Sequence, residues 1–318
     1  LKGLKFIIEL TSKTLDSDIK SIKKAARKGI KDELDKRVNK IINEKEIIIN
    51  SDNKIIWNEY PIARLKKGND YLTPEIEIIA DETLELGAKI RLDEFLKKWL
   101  VDYINNMLGD LVSLTRQKIE NQYLRALVFQ LYEKNGVIKR NEIDDIVKLV
   151  PKEERKKLWG MGIKIGRYHI YLPKMLKPKA VEFRVSLWKI FHNLDNLQKI
   201  PKSGLNFIIN KNYDKKFFLL CGFENFKEYF VRIDILEKLF IKILDNTKDR
   251  KFKINADMMN LLGCTKENFY KLMGYMNYRK DINTDTYIFK GERKKTDNFL
   301  RFDKQENPFK KLLSLNIK

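Results

Sequence analysis

The stretch Leu92-Asp93-Glu94-Phe95-Leu96-Lys97-Lys98-Trp99-Leu100-Val101-Asp102-Tyr103-Ile104-Asn105-Asn106-Met107-Leu108-Gly109-Asp110-Leu111-Val112-Ser113-Leu114 decides the fold class. Leu92, Phe95, Leu96, Trp99, Leu100, Tyr103, Ile104, Met107, Leu108, Leu111 and Leu114 fall at steps of three and four. That is one wide apolar stripe over about six helical turns, and so regular a stripe faces a core rather than a ligand. Working outward, a second helix carries Tyr123, Leu124, Leu127, Val128 and Leu131 and stops at Asn135-Gly136. Before the long helix, Ile47–Ile49, Ile55–Trp57, Ile62–Leu65 and Ile76–Ile79 read as short antiparallel strands, with Pro61 and Pro74 at strand starts. Lys2–Ile42 reads as a helix rich in charge.

Beyond the second helix, Asn141 caps a short helix that ends before Pro151, and Pro151 opens another that stops at Gly160. Ile163 and Ile165 then alternate up to Gly166-Arg167, and Tyr168 and Ile170 beyond it, which predicts a two-residue type II′ hairpin. Pro178 opens a helix with Val181, Val185, Trp188 and Phe191 on one face. Helix, helix, helix, tight hairpin, helix admits two readings: a structural hairpin over a helical core, or a basic wing with Arg167, Tyr168 and His169 at its tip. Further on, Phe217–Phe223 suggests a buried strand with a turn at Gly222, and Ile233–Leu244 an amphipathic helix. A helix capped by Asn255 and stopped at Leu262-Gly263, then one started by Thr265, form a helix-turn-helix. The alternating runs Tyr287–Phe289 and Phe299–Phe302, with Glu292-Arg293-Lys294-Lys295 between them, would complete a winged helix.

The expectation is therefore a mainly α chain with short antiparallel β elements (α+β), a helical accessory region with winged-helix-like hairpins. Its expected divisions are an N-terminal helical segment over 1–50, a small β element plus helical domain with a basic hairpin over 51–200, and a winged-helix-like domain over 201–318. The break is placed at Pro201-Lys202-Ser203-Gly204.

The 318 residues carry 65 Lys+Arg against 44 Asp+Glu, a net charge of +21. The surplus is clustered. Residues 151–190 hold 11 basic and 3 acidic side chains, whereas 81–120 hold 6 and 8. Clustering is what phosphate binding needs, although a solvated face also explains it. Two cysteines (Cys221, Cys264) and two histidines (His169, His192) leave little for a zinc site and fit a reducing, cytoplasmic setting. No apolar run approaches the ~20 residues of a membrane span. Leu1 in first position, with no signal pattern after it, reads as a piece of a longer protein.

No constellation for catalysis is legible. The sequence has no GxxxxGK[ST] and no GxSxG, and neither histidine has a neighbouring nucleophile. His169 reads as a surface or stacking residue, Cys264 as a small packed one, and the pairs Asp144-Asp145 and Glu153-Glu154 as helix-start acids. What is left is binding. Lys174, Lys177 and Lys179 stand around a helix start, a place that suits phosphate, with Tyr168, His169 and Tyr171 interleaved.

Two strings resemble a known family. They are Leu124-Arg125-Ala126-Leu127-Val128-Phe129-Gln130-Leu131 with Gly136-Val137-Ile138, and Gly162-Ile163-Lys164-Ile165-Gly166-Arg167-Tyr168-His169-Ile170-Tyr171-Leu172-Pro173 with Leu176-Lys177-Pro178 and Leu187-Trp188. Together with Trp57 to Gly68, Leu261-Leu262-Gly263-Cys264, Gly274-Tyr275 and Asn307-Pro308-Phe309, they resemble the carboxy-terminal region of bacterial helicase-related proteins. Those proteins carry a superfamily-2 core similar to that of mitochondrial degradosome RNA helicases. The resemblance implies an intact protein that hydrolyses ATP with Mg, with its helicase core in cis and RNA or DNA as partner. It places no cofactor and no catalytic residue here, because no position matches the ATPase motifs. The expected role is an accessory nucleic-acid-binding region that guides a strand to or from the motor. The alternatives are a winged-helix regulator without a motor and a protein-interaction adaptor with an acidic partner. The candidate nucleic-acid contacts are Lys164, Arg167, Tyr168, His169, Lys174, Lys177, Lys179 and Arg184, with Lys266, Lys271, Arg293, Lys294 and Lys295 as the rival site.

Overall fold

The computed structural model describes residues 3–5, 16–80, 82–194, 199–211, 214–281, 284 and 286–289. Helix α1 (Asp16–Glu44) leads into a four-stranded antiparallel meander, β1 (Ile47–Ile49), β2 (Lys54–Trp57), β3 (Tyr60–Lys66) and β4 (Glu75–Ile78), in sequential order. Helix α2 (Leu86–Arg116) follows, with non-helical backbone at Leu108. Of the expected stripe, Leu92, Leu96, Leu100, Ile104, Leu108, Leu111 and Leu114 are buried, and Phe95, Trp99, Tyr103 and Met107 are half-buried beside them. They pack on α1 through Leu34, Val38 and Ile41 and on the meander through Ile55 and Ile62.

The rest of the described chain repeats one plan three times. The first unit runs α3 (Gln122–Glu133), β5 (Val137–Lys139), α4 (Arg140–Leu149), α5 (Lys152–Gly160), β6 (Lys164–Ile165) and β7 (His169–Tyr171), with strand order β5-β7-β6. A 3-10 turn (Pro173–Leu176) leads to the second unit: α6 (Pro178–His192), β8 (Phe207–Ile209), α7 (Lys215–Leu220), β9 (Phe223–Phe226) and β10 (Tyr229–Arg232), order β8-β10-β9. The third runs α8 (Ile233–Asp245), the small hairpin β11 (Thr247–Lys248) and β12 (Lys251–Phe252), α9 (Ala256–Leu262), α10 (Lys266–Tyr275), β13 (Tyr278–Lys280) and β14 (Tyr287–Phe289), order β11-β12-β14-β13. In the first two, the strand after the leading helix pairs antiparallel with the last strand of the closing hairpin; in the third, β12, the second strand of the small hairpin, does so. That is winged-helix connectivity. The middle unit keeps it with one helix, α7, between first strand and hairpin.

Local chemistry explains these elements. Asn121 accepts N–H bonds from Tyr123 and Leu124 at the start of α3. Asn135 and Gly136 leave α3 with φ of 57° and 81°, a left-handed exit that glycine adopts without penalty. Asn255, Gly263 (φ 67°) and Thr265 cap and turn the α9–α10 pair as expected. Four details differ from the sequence reading. Asn141 lies inside α4, whose cap position is Lys139. Residues 215–220 form a helix, not a strand, because Asp214 caps Lys216 and Phe217 and the aromatics pack by tertiary contact. The third unit's wing is 278–280 with 287–289, so its first strand precedes the run chosen from sequence, and Phe299–Phe302 lies outside the described residues. The first hairpin pairs Ile165 with Ile170 and Gly166 N with His169 O (2.7 Å), so its turn is Arg167-Tyr168, one residue later than expected.

One core runs from Leu4 to Leu187 and joins α1, the meander, α2 and the first unit. A second fills the third unit, with Tyr229, Val231, Leu239, Phe252, Phe269 and Leu272 at its centre. Val181 and Val185 of α6 pack with Phe217, Phe218, Phe223 and Phe230 across the expected break at 201–204.

Candidate nucleic-acid interface

In the third unit, α10 has one buried face and one outward face. Phe269, Leu272 and Met273 hold the inner face of α10 fully buried. Lys266, Tyr270, Lys271 and Gly274 lie on the outer side at helical spacing. Lys266 Nζ sits 5.7 Å from the centre of the Tyr270 ring, and Tyr270 stacks on Tyr287 of the wing at 6.1 Å. Lys271 pairs with Glu267 at 2.7 Å. Beside this face, Tyr270, Gly274, Asn277, Arg279, Lys280 and Tyr287 line an open recess of about 610 Å³. Basic side chains, an aromatic face and a glycine gap thus share one surface.

In the first unit the corresponding helix is α5. Lys152, Lys156, Lys157 and Trp159 are exposed on it. Arg155 turns inward and donates to the carbonyls of Val147 (2.9 Å) and Val150 (3.0 Å) at the end of α4. In the second unit α7 buries Phe217, Phe218 and Leu220, so it serves packing.

The hairpin expected at the nucleic-acid contact is clamped to α8 through its backbone. The Glu237 carboxylate of α8 accepts the backbone N–H groups of Arg167 (2.6 Å), Tyr168 (2.9 Å) and His169 (3.0 Å). Consecutive N–H groups converging on one anion form a nest, here filled by the protein's own carboxylate. Gly166 makes the approach possible: a Cβ there would lie 2.3 Å from the carboxyl carbon. His169 is fully buried, with Nε2 2.6 Å from Glu224 and Nδ1 3.8 Å from Glu237. Lys139 closes the group with a 2.6 Å bond to Glu224. Burial alone would lower the His169 pKa, but Glu224 and Glu237 outweigh it and raise it. Burial would likewise raise Glu224, and His169 with Lys139 hold it below the usual value.

The candidate contacts therefore separate. Lys164, Lys177 and Lys179 are exposed. Lys174 is exposed and paired with Asp110 at 2.8 Å. Arg167 is exposed, its guanidinium 5.8 Å from the Phe240 ring centre. Tyr168 is half-buried, edge-on to Phe240 (5.8 Å) and Phe226 (6.5 Å), so it is no open stacking platform. His169 and Arg184 are fully buried, against the expectation that they contact a bound strand, because neither side chain reaches solvent. Arg184 donates to the carbonyls of Asn135 and Leu220, which lie at the ends of α3 and α7, and complete burial lowers its pKa to about 10. Lys266 and Lys271 lie on α10 as expected, whereas Arg293, Lys294 and Lys295 fall outside the described residues. Tyr270, Arg279 and Lys280 were not singled out from sequence. Tyr270 was legible, four residues after Lys266; Arg279 and Lys280 needed β13 to be placed.

Burial pushes the Cys221 thiol up to about 12 and that of Cys264 to about 11, so both are protonated at neutral pH. Among the described residues no group of three His, Cys, Asp or Glu could hold a metal ion. No described helix is long and apolar enough to cross a membrane. Comparison of the chain with family models, with curated proteins and with solved structures found no match.

Proposed function

We propose that the chain is a duplex-DNA-binding protein in which α10 enters the major groove and the β13–β14 wing lies along the backbone. The observation that carries this reading is the α9–α10 helix-turn-helix with its wing, presenting Lys266, Tyr270, Lys271, Arg279 and Lys280 on the outer side. B-DNA favours it over RNA on width, because a major groove about 12 Å across admits a helix and the deep, narrow groove of A-form RNA does not. The net charge of +21 supplies the sequence-independent attraction to phosphate. Exposed Lys152 and Lys156 of the first unit extend the basic surface.

Attachment to a superfamily-2 motor, with ATP and Mg bound there, is a further proposal supported by the residue strings alone. Within the string Gly162 to Pro173, His169, Ile170, Tyr171 and Leu172 are buried, so that part of the likeness reflects packing. Walker motifs upstream of Leu1 in the reading frame would support the motor.

The test is a salt-titrated binding assay on the full chain with duplex DNA, single-stranded DNA and duplex RNA. Tightest binding to duplex DNA, with a steep log–log salt dependence, supports the proposal. Equal or tighter binding to single strands or duplex RNA, or no binding at low salt, overturns it.

A further inference from the structure

A cleft of about 800 Å³ lies between the C-terminal end of α5, the β6–β7 hairpin and α8. Its floor is apolar. Trp159 is 78% exposed, Ile241 55% and Leu244 53%, and Ile165 and Phe240 line the same cleft. Large apolar side chains scattered singly on a surface are ordinary, but several converging in one concavity mark a binding surface. Ile241 and Leu244 lie three apart on α8, with Lys238 one turn earlier on the same side.

The rim decides what fits. Two carboxylates line the cleft and both are engaged: Asp234 with Arg232 at 2.6 Å, Glu237 with three backbone N–H groups. Among the described residues Lys164 and Lys238 have no ion pair, and both line the cleft with Arg167. The unneutralised charge at the rim is therefore positive. A nucleic-acid strand would satisfy the lysines but set Trp159, Ile241 and Leu244 against phosphates. A purely apolar segment would satisfy the floor and leave the lysines unmet. A helix with bulky apolar anchors on one side and carboxylates flanking them satisfies both. The walls come from the first and third units, and the Glu237 clamp fixes them together, so the cleft exists before anything binds.

We infer that this cleft docks an acidic amphipathic helix of a partner protein. The probe is a fluorescein-labelled peptide with Leu at i, i+3, i+4 and i+7 and Glu at the flanking positions, followed by anisotropy on the full chain. A second peptide replaces every Glu by Lys. The expected result is saturable binding of the acidic peptide only, with a blue shift of tryptophan emission. Ile241→Lys and Leu244→Lys, both at exposed sites, should each weaken it at least tenfold while far-UV circular dichroism and duplex-DNA affinity stay as wild type. Lys164→Glu with Lys238→Glu should weaken it similarly. Equal binding of the two peptides, no binding, or unchanged binding by Ile241→Lys overturns the inference. Self-association of the chain that Ile241→Lys abolishes would assign the cleft to a second copy, and displacement of the peptide by duplex DNA would assign it to phosphates; either result overturns it too.

Discussion

Gly166 shows how much one missing side chain can decide. Its backbone is not in the left-handed region, so turn geometry does not require glycine there; the Glu237 carboxylate does. Gly166→Ala should push that carboxylate off its three N–H donors and destabilise the chain by about 1–3 kcal/mol, read as a lower urea midpoint. Arg184 is the other residue whose meaning lies in its neighbours. Arg184→Met keeps the bulk but strands two buried carbonyls, at a cost on the order of 3 kcal/mol; an unchanged urea midpoint would refute the capping role. His169 adds a pH dependence. Its raised pKa means that the folded state holds the proton more tightly than the unfolded chain does. The resulting stabilisation is full below about 6.5, the ordinary histidine value, and is lost as pH rises through the raised one. Glu224 has the opposite sense: its lowered pKa contributes fully above about 4.5 and is lost as pH falls. The linkage is therefore strongest from roughly pH 5 to 6.5. His169→Gln, neutral at every pH, should flatten the decline in urea midpoint on the alkaline side. None of these three roles could be read from sequence. An alternating hairpin pattern leaves open which face meets a core, and the partners of His169 lie 55 and 68 residues downstream.

The α9–α10 pair was legible because every signal agreed: Asn255 and Gly263 at the ends of α9, Thr265 at the start of α10, Phe269 and Leu272 inside, Lys266 outside. Helix α7 was not, since six residues of Lys, Phe and Leu fit a strand or a helix equally well until the Asp214 cap and the aromatic packing are known. If α10 reads duplex DNA, Lys266→Ala with Lys271→Ala should weaken binding to all duplexes alike. It should also lower the log–log salt slope by about 0.9 per lost phosphate contact. Tyr270→Ala should cost affinity with little change in slope, because the side chain is uncharged. Lys174→Ala should do less than either change, since Lys174 lies in the 3-10 turn before α6 and not on the α10 face. If the Lys174 change abolishes binding while the α10 variants bind as wild type, the surface beside α6 is the reader and α10 is not.

Across the whole molecule, α+β composition and local elements were readable, and the threefold plan was not. The units share the pairing of an early strand with the last one rather than residue identities, and the middle one lacks a helix, so no string repeats. Packing crosses 201–204: α6 contributes Val181 and Val185 to a core completed by Phe217, Phe218 and Phe230. Limited proteolysis cutting at 201–204 should therefore leave two fragments that co-elute in gel filtration under native conditions and separate only in denaturant. Fragments that part on cleavage would make the halves independent domains.

The Glu237 clamp also has a consequence in time. Arg167 leaves the ribosome 70 residues before the carboxylate that holds its N–H. Elements close on themselves quickly, but a contact so distant in sequence waits for synthesis and then for loop closure. During translation the first hairpin is therefore a nest without its anion. A nascent chain stalled before Glu237 should expose amides 167–169 to rapid hydrogen exchange, and protection should appear only once α8 has emerged and docked.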